Sequence, residues 1–521
     1  MKKPLHMPGR RAVVLGSGAL AAGGTAAPGA VLAQAGRAPP PAAPAAPPPS
    51  TVAAARAVEA VRAPILRISR EVWANAELSL AEVKSAEIHL RELEAAGFRI
   101  VSRGTAGVPT AFVAEWRQGV GGPVIGYLPE YDALPGLGNA AEPRQAPGPT
   151  EAGHGCGHNM LGAGCTGAAF ALKRMMEEAG TPGTVRVYGC AAEEMEGVKV
   201  YMVRAGLFDD VDAALAWHPA PVAGAGLVSL AATGKAKVIF RGRTAHAGFS
   251  PWEGRSALKA AELFGLGVQM MREHIQPTAR LHYIYENAGV APNVVPDFAQ
   301  VWIVARDVDR PRVEALTAWL AQVADGAARM TQTEAEFDLF FGTYDVLPNE
   351  PLARHMHRHL SAVPLEWTGA EQAFARACQR AMGVTEAGLA TRHTPFVGTV
   401  SAGGSSDLGD VSHTVPLGVF GWPTLPLGVS LHTWPVTACG GTSIGDKASL
   451  NTARILAAAG FDLMTDAALR EAAKADLRRR REGMPPFASP IPASRTQPLA
   501  LPAFLVKTGE DEITGGLQPP G

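Results

Sequence analysis

Pro123-Val-Ile-Gly-Tyr-Leu128, followed at once by Glu130-Tyr-Asp132, is a short apolar run that ends in a polar cluster. Its length and composition are those of a buried strand. Two further segments repeat the arrangement. Thr184-Val-Arg-Val-Tyr-Gly-Cys190 leads to Glu193-Glu194, and Val211 to Trp217 leads to His218. Between the first two lies Leu161 to Glu178, Ala-rich and with helical periodicity. Strands alternating with helices predict a mostly parallel α/β sheet. In such sheets, sites collect beyond the carboxyl ends of the strands, which is where the three polar clusters fall.

Working outward, Thr51 to about Gly97 carries apolar residues at helical spacing (Val58, Val61, Ile65, Ile68, Val72) and reads as helix. On the other side the texture changes at about Thr233. Gly234 to Arg241 alternates like a half-exposed strand, and a helical stretch follows from about Glu253 to His274. Strand-like pieces come at Ala279 to Tyr285, Ala299 to Arg306 and Glu334 to Phe341, with a helix at Arg312 to Met330. Two helices and about four strands predict a small α+β unit, residues 233–344, inserted between two parts of the larger α/β domain, 51–232 and 345–483.

The ends read differently. Arg10-Arg11 precede a weakly apolar, Ala/Gly-rich run that closes on Ala33-Gln34-Ala35, a small-x-small cleavage pattern. A twin arginine before such a run is the pattern of a Tat signal, residues 1–35, and predicts export to the periplasm. The run is too weakly apolar to read as a membrane anchor. Residues 36–50 form a Pro/Ala-rich linker, and 484–521 a Pro-rich tail. The charge balance, 47 Lys+Arg against 48 Asp+Glu, speaks against nucleic acid or an anionic membrane as partner. Five cysteines, 156, 165, 190, 378 and 439, are too few and scattered for a disulfide framework.

Cys156 invites a different explanation. It lies in Gly153-His-Gly-Cys-Gly-His-Asn159, two residues from His158, in a loop whose glycines let side chains and backbone approach one point. A thiolate, imidazoles and a carboxylate suit zinc or another first-row divalent ion. A single Cys-x-His pair reads more readily as a redox or chance pairing, and an acidic pair as a solvated turn. The alignment of Glu193-Glu194 with other strand-end clusters shifts that balance. At a strand end adjacent carboxylates point different ways, so one can ligate while the other faces water.

Glu130-Tyr-Asp-Ala-Leu-Pro-Gly136 together with Gly153 to Gly162 resembles the two-metal aminoacylase/glutamate carboxypeptidase superfamily, in its branch with a metal-bridging cysteine. The likeness runs from about residue 55 to 480. It implies a zinc-peptidase-like α/β catalytic domain with an inserted α+β dimerisation or lid domain. It also implies hydrolysis of the amide bond of a small N-acyl amino acid, such as p-aminobenzoyl-glutamate. Two divalent ions per chain, Zn or Mn, follow from the same resemblance, with Cys156 bridging them and His158, Glu194, His218 and His432 as further ligands. Glu193 resembles the general base and Asp132 the carboxylate that orients a ligand. His246, in Arg243-Thr-Ala-His-Ala-Gly248, resembles a histidine that crosses a dimer to stabilise the oxyanion. Asn293 and Arg306 resemble groups that hold the substrate's carboxylate. His413, beside a Ser405 to Asp410 loop that resembles the family's serine/aspartate loop, ranks below these, as does His154. Leu431 stands where the family has glycine before the last ligand, which makes His432 the least secure. The implied assembly is a homodimer, or a hetero-oligomer with a related subunit.

Two rival readings remain at this point. An exported solute-binding protein would also have α/β lobes and a signal peptide, but needs no Cys/His/Glu set. A catalytically dead partner subunit would not retain Cys156, His158, Glu193, Glu194 and His218 together.

Overall fold

The computed structural model describes residues 46–496 and 498; the twin-arginine segment, most of the following linker and the rest of the tail lie outside them. The larger sheet is built from β1 (Arg99–Arg103), β2 (Phe112–Gln118), β3 (Val124–Tyr127), β4 (Gly183–Gly189), β5 (Ala213–Ala220) and β12 (Leu417–Pro423). Its strand order is β1-β2-β4-β3-β5-β12. β4, β3, β5 and β12 run parallel, and β1 and β2 are an antiparallel extension on one edge. That hairpin is absent from the sequence-based expectation. β1 is too exposed and too short to show an apolar period, with no residue fully buried.

Helices cover the sheet. His158–Ala179 is buried along most of its length and packs on Ser443–Thr465. The helical stretch expected over Thr51 to Gly97 is three helices, Pro49–Ala60, Arg62–Asn75 and Val83–Ala95. The second ends on Ala76 in the left-handed region. The Glu77 carboxylate then accepts the free backbone N–H groups of Lys84 and Ser85 at the start of the third. An alanine gives no warning of such a turn, so the break is not readable in the sequence.

Between β5 and β12 in the chain come β7 (Ala232–Arg241), β8 (Arg280–Asn287), β9 (Phe298–Asp307) and β10 (Glu334–Thr343). They form a second, antiparallel sheet in the order β10-β7-β9-β8. β9 alternates strictly between buried and half-buried residues. Its inward residues Ala299, Val301, Ile303 and Ala305 meet Phe264, Val268, Leu316 and Leu320 from the helices Ala257–Met271 and Arg310–Thr331. This core is separate from that of the large sheet. A two-stranded parallel ribbon, β6 (Gly226–Leu230) with β11 (Val397–Ala402), completes the strands. The fold is a parallel-sheet α/β domain with an inserted α+β domain. No helix among the described residues is long and apolar enough to cross a membrane.

Candidate metal centre

The chain leaves β3, β4 and β5 at the same edge of the large sheet, and each exit delivers polar side chains to one place. After β3 come Glu130 and Asp132, both buried. The Asp132 carboxylate organises its surroundings. Oδ1 accepts from His158 Nδ1 at 2.7 Å, while Oδ2 accepts from Ser79 Oγ at 2.8 Å and from the Glu194 backbone N–H at 2.9 Å. One carboxylate therefore orients an imidazole and pins the backbone of the acidic pair. With Nδ1 committed, His158 turns Nε2 towards Glu130 Oε2 at 3.3 Å and Glu194 Oε1 at 4.0 Å.

Glu193 and Glu194 do not sit on a strand end, as their sequence suggested. They begin a one-turn helix, Glu193–Glu196, after Ala192 in the left-handed conformation (φ 56°). That backbone is held by Glu82, fully buried, whose Oε1 accepts from Ala192 N at 2.7 Å. The two carboxyls still diverge, because successive helical residues point about 100° apart. Glu193 groups with Glu130 and His158, and Glu194 with Cys156 and His432. Burial, then the neighbouring Glu130 carboxylate, pushes Glu193 up to about 7. Burial raises Glu194 to about 8, against the pull of His158.

The cysteine loop depends on its glycines. Gly157 has φ 83°, and a Cβ there would lie 2.9 Å from Pro219 Cγ. A Cβ on Gly153 would come within 2.1 Å of the Leu137 carbonyl oxygen. Cys156 lies 3.6 Å from His218 Nε2, and His218 Nδ1 donates to the Pro219 carbonyl at 2.9 Å. That bond leaves the Nε2 lone pair facing the sulfur. Burial holds the thiol well above its ordinary range and His218 down to about 4. His432 arrives from the far end of the chain, its N–H donating to Gly155 O at 2.8 Å and its Nε2 3.4 Å from Glu194 Oε1. The adjoining Leu431 is half-buried against Leu425, Val429 and Val436, and the positive φ falls on His432 itself (61°).

One group here has no signal in the sequence. Lys199 is fully buried and bridges Glu130 Oε1 at 2.7 Å and Asp407 Oδ1 at 2.6 Å. Only its lack of exposure would reveal it, since a lone lysine in Val198–Arg204 reads as a solvated helix face. Asp407 lies in the Ser405 to Asp410 loop, and the structure gives it this buried partner. His413 is elsewhere, 3.6 Å from Asp345 and against Tyr344, and His154 bonds to the Val72 carbonyl.

Residues 130–432 match peptidase family M20/M25/M40. The chain belongs to that family. It is 38% identical over 473 residues to one subunit of the p-aminobenzoyl-glutamate hydrolase of Escherichia coli (strain K12), a match spanning 84% of this chain and 97% of that protein. To the Xaa-Arg dipeptidase of Mus musculus it is 28% identical over 423 residues, spanning 79% and 88%. A solved dinuclear metal-binding peptidase of family M20 from Bacillus subtilis shares the fold, with a TM-score of 0.52 at 20% identity over 78% of this chain and 99% of that one. This M20-family chain is a hydrolase of amide bonds.

The inserted domain of the M20 chain places its three candidate residues in two ways. Arg306, on β9, is half-buried and donates from Nη1 to Ser405 Oγ at 3.0 Å, linking the two domains. Its buried Nε has no hydrogen-bond partner among the described residues, and its charge is felt at Glu193. His246 and Asn293 lie on two exposed loops that touch each other through Ala247 N and Asn293 O at 3.0 Å. His246 Nδ1 accepts from Gly248 N and Phe249 N, at 3.2 and 3.0 Å. Neither side chain joins the Cys156 group.

Proposed function

We propose that this chain is a metal-dependent amidohydrolase of small N-acyl amino acids, with p-aminobenzoyl-glutamate as the first substrate to try. The observation that carries the reading is a set of buried polar atoms left without hydrogen-bond partners among the described residues: Glu130 Oε2 and Glu194 Oε1, both turned to His158 Nε2, and that nitrogen itself. Unpaired buried polar atoms are costly, and a cation is the simplest group that would satisfy them together. The donors fit two divalent ions, Zn or Mn. Cys156, His158 and His218 converge as one group and Cys156, Glu194 and His432 as another, so the sulfur is common to both.

Divalent ions bound there would supply Lewis acidity to the scissile carbonyl and acidify water. The chain's own groups do the rest. Glu193, with its carboxyl raised towards neutrality by burial and Glu130, takes a proton from the attacking water and returns it to the leaving amine. Arg306 and Asn293 hold the substrate carboxylate, the guanidinium by two parallel hydrogen bonds. With Nδ1 accepting two backbone N–H groups, neutral His246 carries its proton on Nε2 and can donate it to an oxyanion. The donor acts on the site of a neighbouring subunit. Phe249, Trp252 and Val290 stand 79%, 70% and 95% exposed beside it, which supports a dimer through this face. The Escherichia coli relative is named as one of two subunits, and this chain is also 31% identical over 232 residues to the other, which supports a hetero-oligomer as an alternative assembly. Arg10-Arg11 and Ala33-Gln34-Ala35 support export to the periplasm, testable by fractionating cells that carry Arg10→Lys with Arg11→Lys.

The deciding experiment pairs elemental analysis with hydrolysis of an N-acyl amino acid panel. Active protein should hold two ions per chain at this centre, both lost in Cys156→Ser, since a hydroxyl replaces a bridging thiolate poorly. Activity in protein free of metal would end this reading.

A further inference from the structure

Outside the centre just described, the helix Glu350–Ser361 carries His355 and His359 four residues apart, the spacing that sets two imidazoles on one face. Asp462, in the last turn of Ser443–Thr465, packs against that face. The two Nε2 atoms are 3.2 Å apart, and Asp462 Oδ2 lies 3.4 Å from His355 Nε2 and 3.1 Å from His359 Nε2. Ligands placed tetrahedrally at the usual zinc distances of about 2.0–2.1 Å are separated by about 3.3–3.4 Å. The triangle already has that size.

Protons fill it poorly. If both Nε2 atoms carry hydrogen, both must donate to Oδ2, which already accepts from Arg358 Nη2 at 3.3 Å, and the two N–H groups abut. If one is bare, its lone pair faces a carboxylate oxygen. A cation at the centre would turn all three close approaches into attractions. The outer edges of the rings are also held: His359 Nδ1 by Thr51 Oγ1 at 2.7 Å, and His355 Nδ1 by Arg358 Nη2 at 3.0 Å. His359 is inaccessible and His355 nearly so, while the Asp462 side chain keeps 21% of its surface open, the side from which an ion and a water could enter.

We propose that His355, His359 and Asp462 form a divalent-cation site for a borderline ion such as Zn2+, with water as fourth ligand, independent of the catalytic centre. Once His355 Nε2 is a ligand, the ring's proton sits on Nδ1. Arg358 can then no longer donate there and turns outward, which its 57% exposure permits. Thr51 Oγ1 accepts the hydrogen bond from His359 Nδ1–H. The ion fastens three helices at one point: Pro49–Ala60 through Thr51, Glu350–Ser361, and Ser443–Thr465, whose long contact with His158–Ala179 supports the helix that opens with His158.

Chelator-stripped full-length protein is titrated with Zn2+, and bound ions are counted in wild type, Cys156→Ser, and Cys156→Ser with Asp462→Asn. One ion should remain in Cys156→Ser and vanish in the double variant, and it should raise the melting temperature of the former alone. Arg358→Ala, a surface change that removes a competing donor and a like charge, should tighten that ion by about tenfold or more. Cys156→Ser binding no ion would overturn the proposal, as would Arg358→Ala binding it no tighter. Retention of every ion in Cys156→Ser would instead count against the catalytic centre, so the two failures are distinguishable.

Discussion

Beyond β3, β4 and β5, Asp132, His158 and Glu194 have their orientations fixed by one another, and burial raises the Glu193 and Glu194 carboxyls and lowers the His218 imidazole. On the loops of the inserted domain, His246 and Asn293 stand in solvent, held through backbone hydrogen bonds and, for His246, an edge contact with Phe249. The first region is complete within the chain, because burial both orients the groups and sets their proton affinities. The second offers an imidazole whose Nε2 meets no acceptor among the described residues. An exposed, pre-oriented donor beside an exposed apolar face acquires a role only when another molecule covers it.

The largest effect should come from the buried region. Glu193→Gln keeps the size of the side chain but cannot take a proton, and should lower turnover by roughly 10²–10⁴. Its ion content should match wild type. Loss of ions in this variant would instead make Glu193 a ligand, in keeping with its closeness to Glu130 and His158.

The exposed region is probed by His246→Ala, expected to lower kcat by about 10²–10³, as for removal of an oxyanion donor. Subunit mixing sharpens the contrast. Co-refolded with Glu193→Gln, the variant should regain about a quarter of wild-type activity, because random pairing puts half the dimers in a state with one complete site. No recovery in mixtures shown to exchange subunits would return His246 to its own chain or remove it from the reaction.

The contrast also explains what is legible in the sequence. β3, β4, β5, β7 and β9 announce themselves, since their apolar runs or alternation follow from burial on two faces or one. Local spacing makes the Cys156/His158 loop and the Glu193-Glu194 pair legible, whereas His432, His246, Asn293 and Arg306 are reached only through the family resemblance. What escapes lacks a local signal. β12, Leu-Gly-Val-Phe-Gly-Trp-Pro, is broken up by glycines that its partner β5 requires: a Cβ on Gly418 would sit 3.0 Å from Leu215. Lys199 meets Glu130 and Asp407 from 69 and 208 residues away, and Glu82 reaches Ala192 across 110. Partnerships of that kind exist only once the sheet has formed.

Lys199 supplies the next test, on stability. It is the cation between two buried carboxylates, and burial raises Asp407 to about 6 even with the ammonium beside it. Lys199→Met leaves both acids without their counter-charge and should cost about 3–5 kcal/mol in urea unfolding. A change within error would show that water or a proton replaces the ammonium easily, and that the buried region is less closed than its geometry indicates.

The smallest effect is expected where the two regions meet. Arg306 belongs to the inserted sheet through its pairing with Thr233 and Arg280, yet its guanidinium reaches Ser405 of the other domain. Arg306→Lys preserves the charge and loses the planar fork, so one of two hydrogen bonds to a substrate carboxylate should go. Bonds to charged groups are worth about 1.5–3 kcal/mol, which corresponds to a KM raised by about ten- to a hundredfold for carboxylate substrates. Turnover should change less, because the carboxylate is bound alike before and during the reaction. The matching amide substrate, with no carboxylate to hold, should show no such difference between wild type and variant. If KM stays put and kcat falls instead, Arg306 serves the domain contact through Ser405 rather than the substrate, and the two regions are joined by packing alone.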